Sequence, residues 1–375
     1  MNDLYILIAG GGTGGHIFPG ISLYNEFKKK DISAGMLVGK RDVHFSPLSD
    51  IDAGCIYYYN APLFTKNILK MPVFLLQFFK ATVRAVMLIK KMKADAVIGM
   101  GGYVSAPALA AAVILRIPYF LCEQNSVPGK ATVLFASKAR MIFTTFKNTG
   151  DYLKDGIKSK IINYGNPLRD NVFSKLTKQD ARRIFYLSHC KKVILVIGGS
   201  QGAAQINELF LNIKKNYTDE LKNTGIIWVT GDLTYRKYKE ELNEMLGDGS
   251  VYLAPFIDNI GAAYRASDLA VSRAGAGGMM ELAATGLPSV LIPYPYAADN
   301  HQEKNAENFE RAGAAVRIRN SEAGPEKVGD IIINLLSNPV QLSRMAEKAR
   351  SVSLNDAGKN IINAVIGELK KPEDV

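Results

Sequence analysis

Short apolar runs alternate with amphipathic stretches along the whole chain. "LYILIAG", "SAGMLVG", "DAVIGMGG", "IPYFLCEQ" and "ARMIFTTF" read as buried strands, most of them followed by helical segments. Continuous apolar runs of this length, without strict alternation, are what strands covered on both faces look like. After "IINYGNPLR" the pattern restarts: "KVILVIGGSQGAAQINELF" is again strand, glycine turn and helix. "GIIWVTG", "VYLAPFI", "DLAVSRAG", "PSVLIPYP" and "AAVRI" follow as further strand candidates. Repeated β–α alternation predicts an α/β protein with parallel sheets and helices on both faces. The restart predicts two such domains, residues 1–164 and 165–345, joined near Tyr164–Pro167, and residues 339–370 read as helical with one polar side.

Composition adds limits. A chain of 375 residues with 47% hydrophobic content can bury two cores. The three cysteines, Cys55, Cys122 and Cys190, are far apart, match no metal spacing and suggest a reducing compartment. The opening "MNDLYILIAG" carries an acid and reaches glycine quickly, so it reads as a first strand rather than a signal peptide. The net charge of +11 is unevenly spread: residues 1–164 hold 20 Lys and Arg against 10 Asp and Glu, whereas residues 165–375 hold 26 against 25. The basic excess of the N-terminal half suits phosphates, nucleic acid or a lipid surface.

Four glycine clusters follow predicted strands: residues 10–15, "GMGGYVSAP" at 99–107, "GGSQGAA" at 198–204 and "RAGAGGMMEL" at 273–282. Ligands of open parallel sheets bind beyond the carboxyl ends of the strands, where helix N-termini offer N–H groups to anions. One cluster alone is equally a tight turn. Four, split between two domains, point to a phosphorylated ligand in a shared cleft. Gly10, Gly12 and Gly15 also spell G-x-G-x-x-G, the dinucleotide fingerprint. That reading wants an acid at the end of the second strand, where the chain has Lys40 and Arg41 before Asp42, and it leaves three glycine loops unexplained. A P-loop fails outright, because His16 stands where its lysine is required.

"GGTGGHIFPG", "GGYVSAP", "EQNSVPGKA", "GNPLR", "GGSQGA", "RAGAGGMMELAATGLPSVLIPYP" and "DNHQEKNA" resemble, in this order, the motifs of the MurG family. These are UDP-N-acetylglucosamine:lipid I N-acetylglucosaminyltransferases of bacterial cell-wall synthesis. The resemblance runs over roughly residues 4 to 365. It implies the GT-B fold, two Rossmann-like domains facing across a cleft, with the C-terminal segment 346–375 returning toward the N-terminal domain. It implies an inverting transfer from UDP-N-acetylglucosamine (UDP-GlcNAc) to lipid I with no bound metal and no cofactor. The N-terminal domain would take the acceptor and the C-terminal domain the donor.

By the same resemblance, Thr13, Gly14 and Gly15 approach the donor sugar and diphosphate, while Gly12, Gly101, Gly102, Tyr103 and Ser105 cradle the acceptor's diphosphate. Asn125 resembles the family's contact to the donor sugar, and Arg169 its contact to the donor phosphate. Ser200, Gln201 and Gly202 would hold the uridine diphosphate, and Ile257 would pack on uracil. Ala276, Gly277, Gly278, Met279, Met280 and Glu281 form the second donor loop, with Glu281 resembling the carboxylate that accepts from ribose hydroxyls. Gln302 and Asn305 look like amide contacts to sugar hydroxyls. The family usually has Ser-Thr where this chain has Gly277 and Gly278, so that hydroxyl contact does not carry over. His16 is the candidate catalytic residue: the acceptor hydroxyl loses a proton as it attacks, and imidazole suits that near neutrality. The alternative is a histidine that only orders the loop. Glu123 reads as a loop-ordering acid.

Residues 63–95 carry seven Lys or Arg, and no Asp or Glu occurs from Ala53 to Ala94. The longest uncharged stretch, Met71–Phe79, has nine residues, short of the ~20 of a membrane span. On a helix, Phe74, Phe78, Ala81, Ala85, Leu88 and Met92 share one face, and Lys80, Arg84 and Lys91 line another. Two readings stand: a helix packed on its sheet, or an exposed tip near Leu63–Phe79 that dips into an anionic leaflet. The second places the protein peripherally on the cytoplasmic face of a bacterial membrane. Other readings are another GT-B glycolipid glycosyltransferase, a UDP-sugar epimerase, an inactive sugar-nucleotide binder and an RNA-binding protein. The last rests on charge alone and lacks a nucleic-acid motif.

Overall fold

The structure, a computed structural model, describes residues 4–65, 67–199, 202–243, 249–354 and 356–371. The chain forms two compact units, Met1–Arg169 with Asn355–Val375, and Asp170–Leu354.

The first unit is a seven-stranded parallel sheet. Its strands are β1 (Tyr5–Ala9), β2 (Ser33–Gly39), β3 (Ile56–Tyr59), β4 (Ala96–Gly99), β5 (Tyr119–Glu123), β6 (Ile142–Thr144) and β7 (Ile161–Asn163). They lie in the order β3-β2-β1-β4-β5-β6-β7. The longer helices are α1 (Gly14–Lys28), α2 (Met71–Met92) and α3 (Gly102–Leu115), with the short α4 (Lys130–Phe135). One face of the sheet packs Leu7, Leu37 and Val97 against Ala85 and Ile89 of α2 and Ala108 of α3. The other packs Ile6, Ile8 and Ile98 against Ile17 and Ile21 of α1. β3 and β7 were not among the expected strands. Both are short sheet-edge strands, and the aromatic "IYYY" of β3 lacks the continuous aliphatic character of a central strand.

The second unit opens with α5 (Lys178–Ile184) and builds a six-stranded parallel sheet. Its strands are β8 (Lys192–Ile197), β9 (Thr224–Val229), β10 (Val251–Ala254), β11 (Leu269–Ser272), β12 (Ser289–Leu291) and β13 (Ala315–Arg317). Their order is β10-β9-β8-β11-β12-β13. The helices between and after them are α6 (Ala204–Asn216), α7 (Asp232–Asn243), α8 (Ile260–Ala266), α9 (Ala276–Thr285), α10 (His301–Arg311), α11 (Pro325–Ser337) and α12 (Pro339–Val352). The final helix, α13 (Ala357–Leu369), belongs to the first unit, where Ile361, Ile362 and Val365 join the core beside α1.

The two units divide after Arg169, not after Tyr164, because "NPLR" is tied to α1. Ser22 Oγ donates to the Leu168 carbonyl at 2.7 Å, and the Arg169 guanidinium lies 3.8 Å from the Phe18 ring centroid. The returning segment likewise begins at residue 355 rather than 346. α12 stays with the second unit, burying Leu342 and Met345 in its core.

The helical stretch Ile68–Met92 is long and apolar enough, by length and composition, to cross a bilayer. Its inner face is packed instead: Ala81, Thr82, Ala85, Leu88 and Ile89 are buried, which is the expected face in the C-terminal half of α2. Its outer face is not purely basic, and the stretch around Leu63–Phe79 exposes apolar side chains. Val73, Leu75, Leu76, Phe79, Val83 and Met87 are exposed, as are Leu63, Phe64, Ile68 and Leu69 ahead of the helix.

Candidate active site

In each sheet the strand order reverses once, between β1 and β4 in the first unit and between β8 and β11 in the second. Loops on either side of such a reversal diverge and leave a crevice at the carboxyl ends of the strands. All four glycine clusters are the loops leaving those four strands. The sequence therefore places its backbone-rich turns at the only topological switch point of each sheet.

In the first unit, Asp42 sets the first loop. Its carboxylate, 8% exposed, accepts from the Gly12 N–H at 2.9 and 3.1 Å and from the Gly39 N–H at 3.2 Å. This is the acid that a dinucleotide site would turn toward a ribose. Here it faces the loop backbone, so the nicotinamide reading loses its ribose ligand. Gly12 has φ +84°, and a Cβ there would stand 2.5 Å from the Tyr103 ring. The ring of Tyr103 thus lies on Gly12, and burial raises its phenol pKa. Gly101 and Gly102 also have positive φ, and the His16 ring lies against both: a Cβ on either would meet ring atoms at 3.0–3.3 Å. His16 Nδ1 is 3.1 Å from Thr13 Oγ1. If Nδ1 carries the proton and Thr13 accepts it, Nε2 keeps its lone pair, the form a base requires. Ser105 does not face a ligand as the resemblance implied. It is fully buried, and its hydroxyl donates to the Gly102 carbonyl inside the first turn of α3.

Glu123 ends β5 and is 4% exposed. Its carboxylate accepts from the N–H groups of Asn125 and Gly129 at 3.0 and 2.9 Å and from the Thr132 hydroxyl. Burial pushes its pKa up against the pull of those hydrogen bonds. The acid therefore folds the 124–129 loop and presents Asn125, half-buried, at the carboxyl end of the strand. Arg169 is placed in the first unit, on the Phe18 ring of α1, rather than in the donor-side domain where the motif put it.

In the second unit, Gly202 has φ +74°, and a Cβ there would stand 2.3 Å from the Thr230 carbonyl oxygen. Only glycine lets this loop lie on the end of β9. Ser200 and Gln201 lie outside the described residues. α9 begins at Ala276, and the first N–H groups of a helix have no intrahelical partner. A Cβ on Gly277 or Gly278 meets nothing within 4 Å, so this turn is bare toward solvent. Met279 and Met280 are buried in the core, and the Met279 N–H is engaged by the Gly275 carbonyl. Glu281 is 8% exposed and accepts from the Tyr264 hydroxyl at 2.6 Å. Ile257, also 8% exposed, follows β10.

The two amides of α10 work from behind the loop. Gln302 Oε1 accepts from the N–H groups of Ala274 and Tyr294 at 3.2 and 2.9 Å, leaving only its amide nitrogen for a ligand. Asn305 is fully buried, and its Nδ2 donates to the Ala274 carbonyl at 3.2 Å, so it holds the loop and does not reach a sugar. Sequence reasoning missed Arg273. Its Nη1 donates to the carbonyls of Ile292 and Pro293 and to Asn320 Oδ1, and its Nη2 to Gln205 Oε1. It is 6% exposed, and desolvation pulls its pKa down to about 10. One side chain thereby ties the ends of β11 and β12 to α6. The signal available was an arginine directly after a buried strand, "DLAVSR". Among the described residues, no three His, Cys, Asp or Glu side chains are grouped to hold a metal ion.

Two family models match the chain: the glycosyltransferase family 28 N-terminal domain over residues 6–144 and the family 28 C-terminal domain over residues 193–361. Among curated proteins, the "UDP-N-acetylglucosamine--N-acetylmuramyl-(pentapeptide) pyrophosphoryl-undecaprenol N-acetylglucosamine transferase" of Halothermothrix orenii is 35% identical, covering 96% of this chain and 98% of its own. The protein of the same name from Aquifex aeolicus is 32% identical, covering 96% of this chain and all of its own. Among solved structures, Acinetobacter baumannii MurG matches with a TM-score of 0.72 and 26% identity, over 97% of this chain and 99% of that one. A Neisseria meningitidis UDP-GlcNAc 2-epimerase matches with a TM-score of 0.70 at 16% identity, over 97% and 100%, which shows the shared fold alone. The protein is thus a GT-B glycosyltransferase. The chain belongs to glycosyltransferase family 28, within its MurG branch.

Proposed function

We propose that this protein transfers N-acetylglucosamine from UDP-GlcNAc to the 4-hydroxyl of lipid I, forming lipid II. The observation that carries the reading is the placement of all four glycine loops at the switch points of two parallel sheets, in a chain whose full-length relatives bear that activity as their name. The muramyl hydroxyl oxygen attacks the anomeric carbon from the face opposite the diphosphate. A new C–O bond forms as the bond to the β-phosphate oxygen breaks, and the configuration inverts. The hydroxyl proton passes to Nε2 of His16, and UDP leaves with the bonding electrons. The loop before α6 and the bare first turn of α9 supply N–H groups, and Arg169 a guanidinium, to the charge that develops on the diphosphate. The Tyr103 and Gly101–Gly102 loop receives the acceptor diphosphate, and Glu281 the ribose.

The exposed apolar face of α2, with Lys80, Arg84, Lys90 and Lys91 beside it, seats the first unit on an anionic leaflet, at the cytoplasmic face where a lipid-linked acceptor lies.

The deciding experiment incubates the purified protein with UDP-GlcNAc, with and without a lipid I analogue. Acceptor-dependent release of UDP with a β-1,4-linked disaccharide product is the expected result. Conversion of UDP-GlcNAc without any acceptor would mark an epimerase instead and overturn the proposal.

A further inference from the structure

The second unit holds a cavity of about 510 Å³ on the side away from its glycine loops. It opens at the amino ends of the strands, walled by Lys192 at the start of β8, Ser267 and Asp268 before β11, and Leu287 and Pro288 before β12. The size falls in the range of small-molecule sites.

Its charge is one-sided. Among the described residues Asp268 is the only acid in the lining, and it is already neutralised: Lys178 Nζ and Arg182 Nη2 lie 2.6 and 2.7 Å from its oxygens, and the Val193 N–H donates to it at 2.7 Å. Three further cations, Lys192, Arg265 and Arg350, line the same hollow with no carboxylate partner among the described residues. Arg265 is aimed by a bond from its Nε to the Leu176 carbonyl at 3.0 Å, which leaves both terminal nitrogens of the guanidinium for a ligand. Arg350 is held flat on Gly286, where a Cβ would stand 2.4–2.7 Å from its Nε, Cζ and Nη2. The start of α12, at Pro339, Leu342 and Ser343, completes the wall. Cations that line a concavity raise the local concentration of anions, and planar guanidinium groups match phosphate oxygens.

We propose that this cavity is a second ligand site that takes a soluble phosphorylated metabolite bearing two or more phosphate charges, through Lys192, Arg265 and Arg350. The Tyr264 side chain lines the cavity, while its hydroxyl donates to Glu281. The site therefore borders the donor-side machinery without using any of its glycine loops.

The probe is sodium tripolyphosphate, titrated calorimetrically into the full chain with saturating UDP present to fill the diphosphate loops. Wild-type protein is expected to bind it, and the double variant Lys192→Ala/Arg265→Ala to bind at least tenfold more weakly while its affinity for UDP is unchanged. Equal affinity in the variant, or no binding by the wild type, would overturn the proposal. A crystal soaked in tungstate gives a check that needs no variant: anomalous density between Lys192, Arg265 and Arg350 is expected, and its absence counts against the site.

Discussion

The Thr13 hydroxyl stands 3.1 Å from Nδ1 of His16, so the residue that caps α1 orients the ring rather than the helix backbone. With Thr13 accepting from Nδ1–H, the base face of the imidazole is Nε2. Thr13→Val removes that acceptor and is expected to lower kcat more than it changes KM for UDP-GlcNAc, and to shift the acidic limb of the pH–rate profile. Thr13→Ser restores both. His16→Ala is expected to cost about 10²–10⁴-fold in kcat, the usual range for a lost general base. Steady-state kinetics across pH 5–9 check the set, and a near-normal kcat for His16→Ala would move the base elsewhere.

Asp42 is the keystone of the same loop. Asp42→Ala strands the Gly12 and Gly39 N–H groups, and a buried donor left without its acceptor costs roughly 1–3 kcal/mol. A fall in thermal stability of that order is expected, with weaker acceptor binding because Gly12 and Tyr103 lose their seat. Denaturant melts alongside acceptor KM values measure both.

Glu123 makes stability depend on pH in a direction opposite to a salt-bridged acid. Burial raises its folded pKa above the ordinary 4.5, so the folded state holds its proton more tightly than the unfolded state does. The contribution is fully present below the unfolded pKa and is lost as pH rises through the folded value. Between pH 4 and neutrality, Glu123→Gln is expected to flatten the decline in stability attributable to this site, as read by melting curves at stepped pH.

Gly277 and Gly278 form the bare first turn of α9. Open space surrounds both, and neither has the positive φ that would demand glycine. Gly277→Ala and Gly278→Ala are each expected to stabilise the second unit by roughly 0.4–1 kcal/mol. The pair Gly277→Ser/Gly278→Thr is expected to fold equally well and to lower KM for UDP-GlcNAc by adding hydroxyl donors. An unchanged KM would show that the main chain alone suffices.

Leu76 and Phe79 are 54% and 65% exposed on α2. Leu76→Glu/Phe79→Glu is expected to leave the melting temperature unchanged. It should reduce sedimentation with phosphatidylglycerol vesicles at least tenfold, with little effect on turnover of a water-soluble acceptor.

The central strands were legible because each is a continuous apolar run, and four of them lead into a glycine cluster. β3 and β7 were not, since a short edge strand is covered less and carries a mixed pattern. The glycine loops were legible as turns after strands, and the sheets place them at their switch points. Which side chains face outward was not. Ser105 and Asn305 read as ligand contacts from their motifs but are buried and bonded to backbone, because a polar residue at the base of a loop is as useful for holding it as one at the tip is for binding. Arg273 passed unnoticed for the converse reason. Its partners come from Gln205, Ile292, Pro293 and Asn320, which meet only once the sheet is assembled.

The first turn of α9 has a further consequence for inhibition. At Gly277 and Gly278 a bound compound would meet main-chain amides and no side chain. Among point substitutions only proline deletes a main-chain N–H, so resistance to an inhibitor seated there has two local routes: that loss, or growing a side chain into the vacant space. Compounds that fill that space themselves would feel such a substitution most, and those that leave it empty would tolerate it.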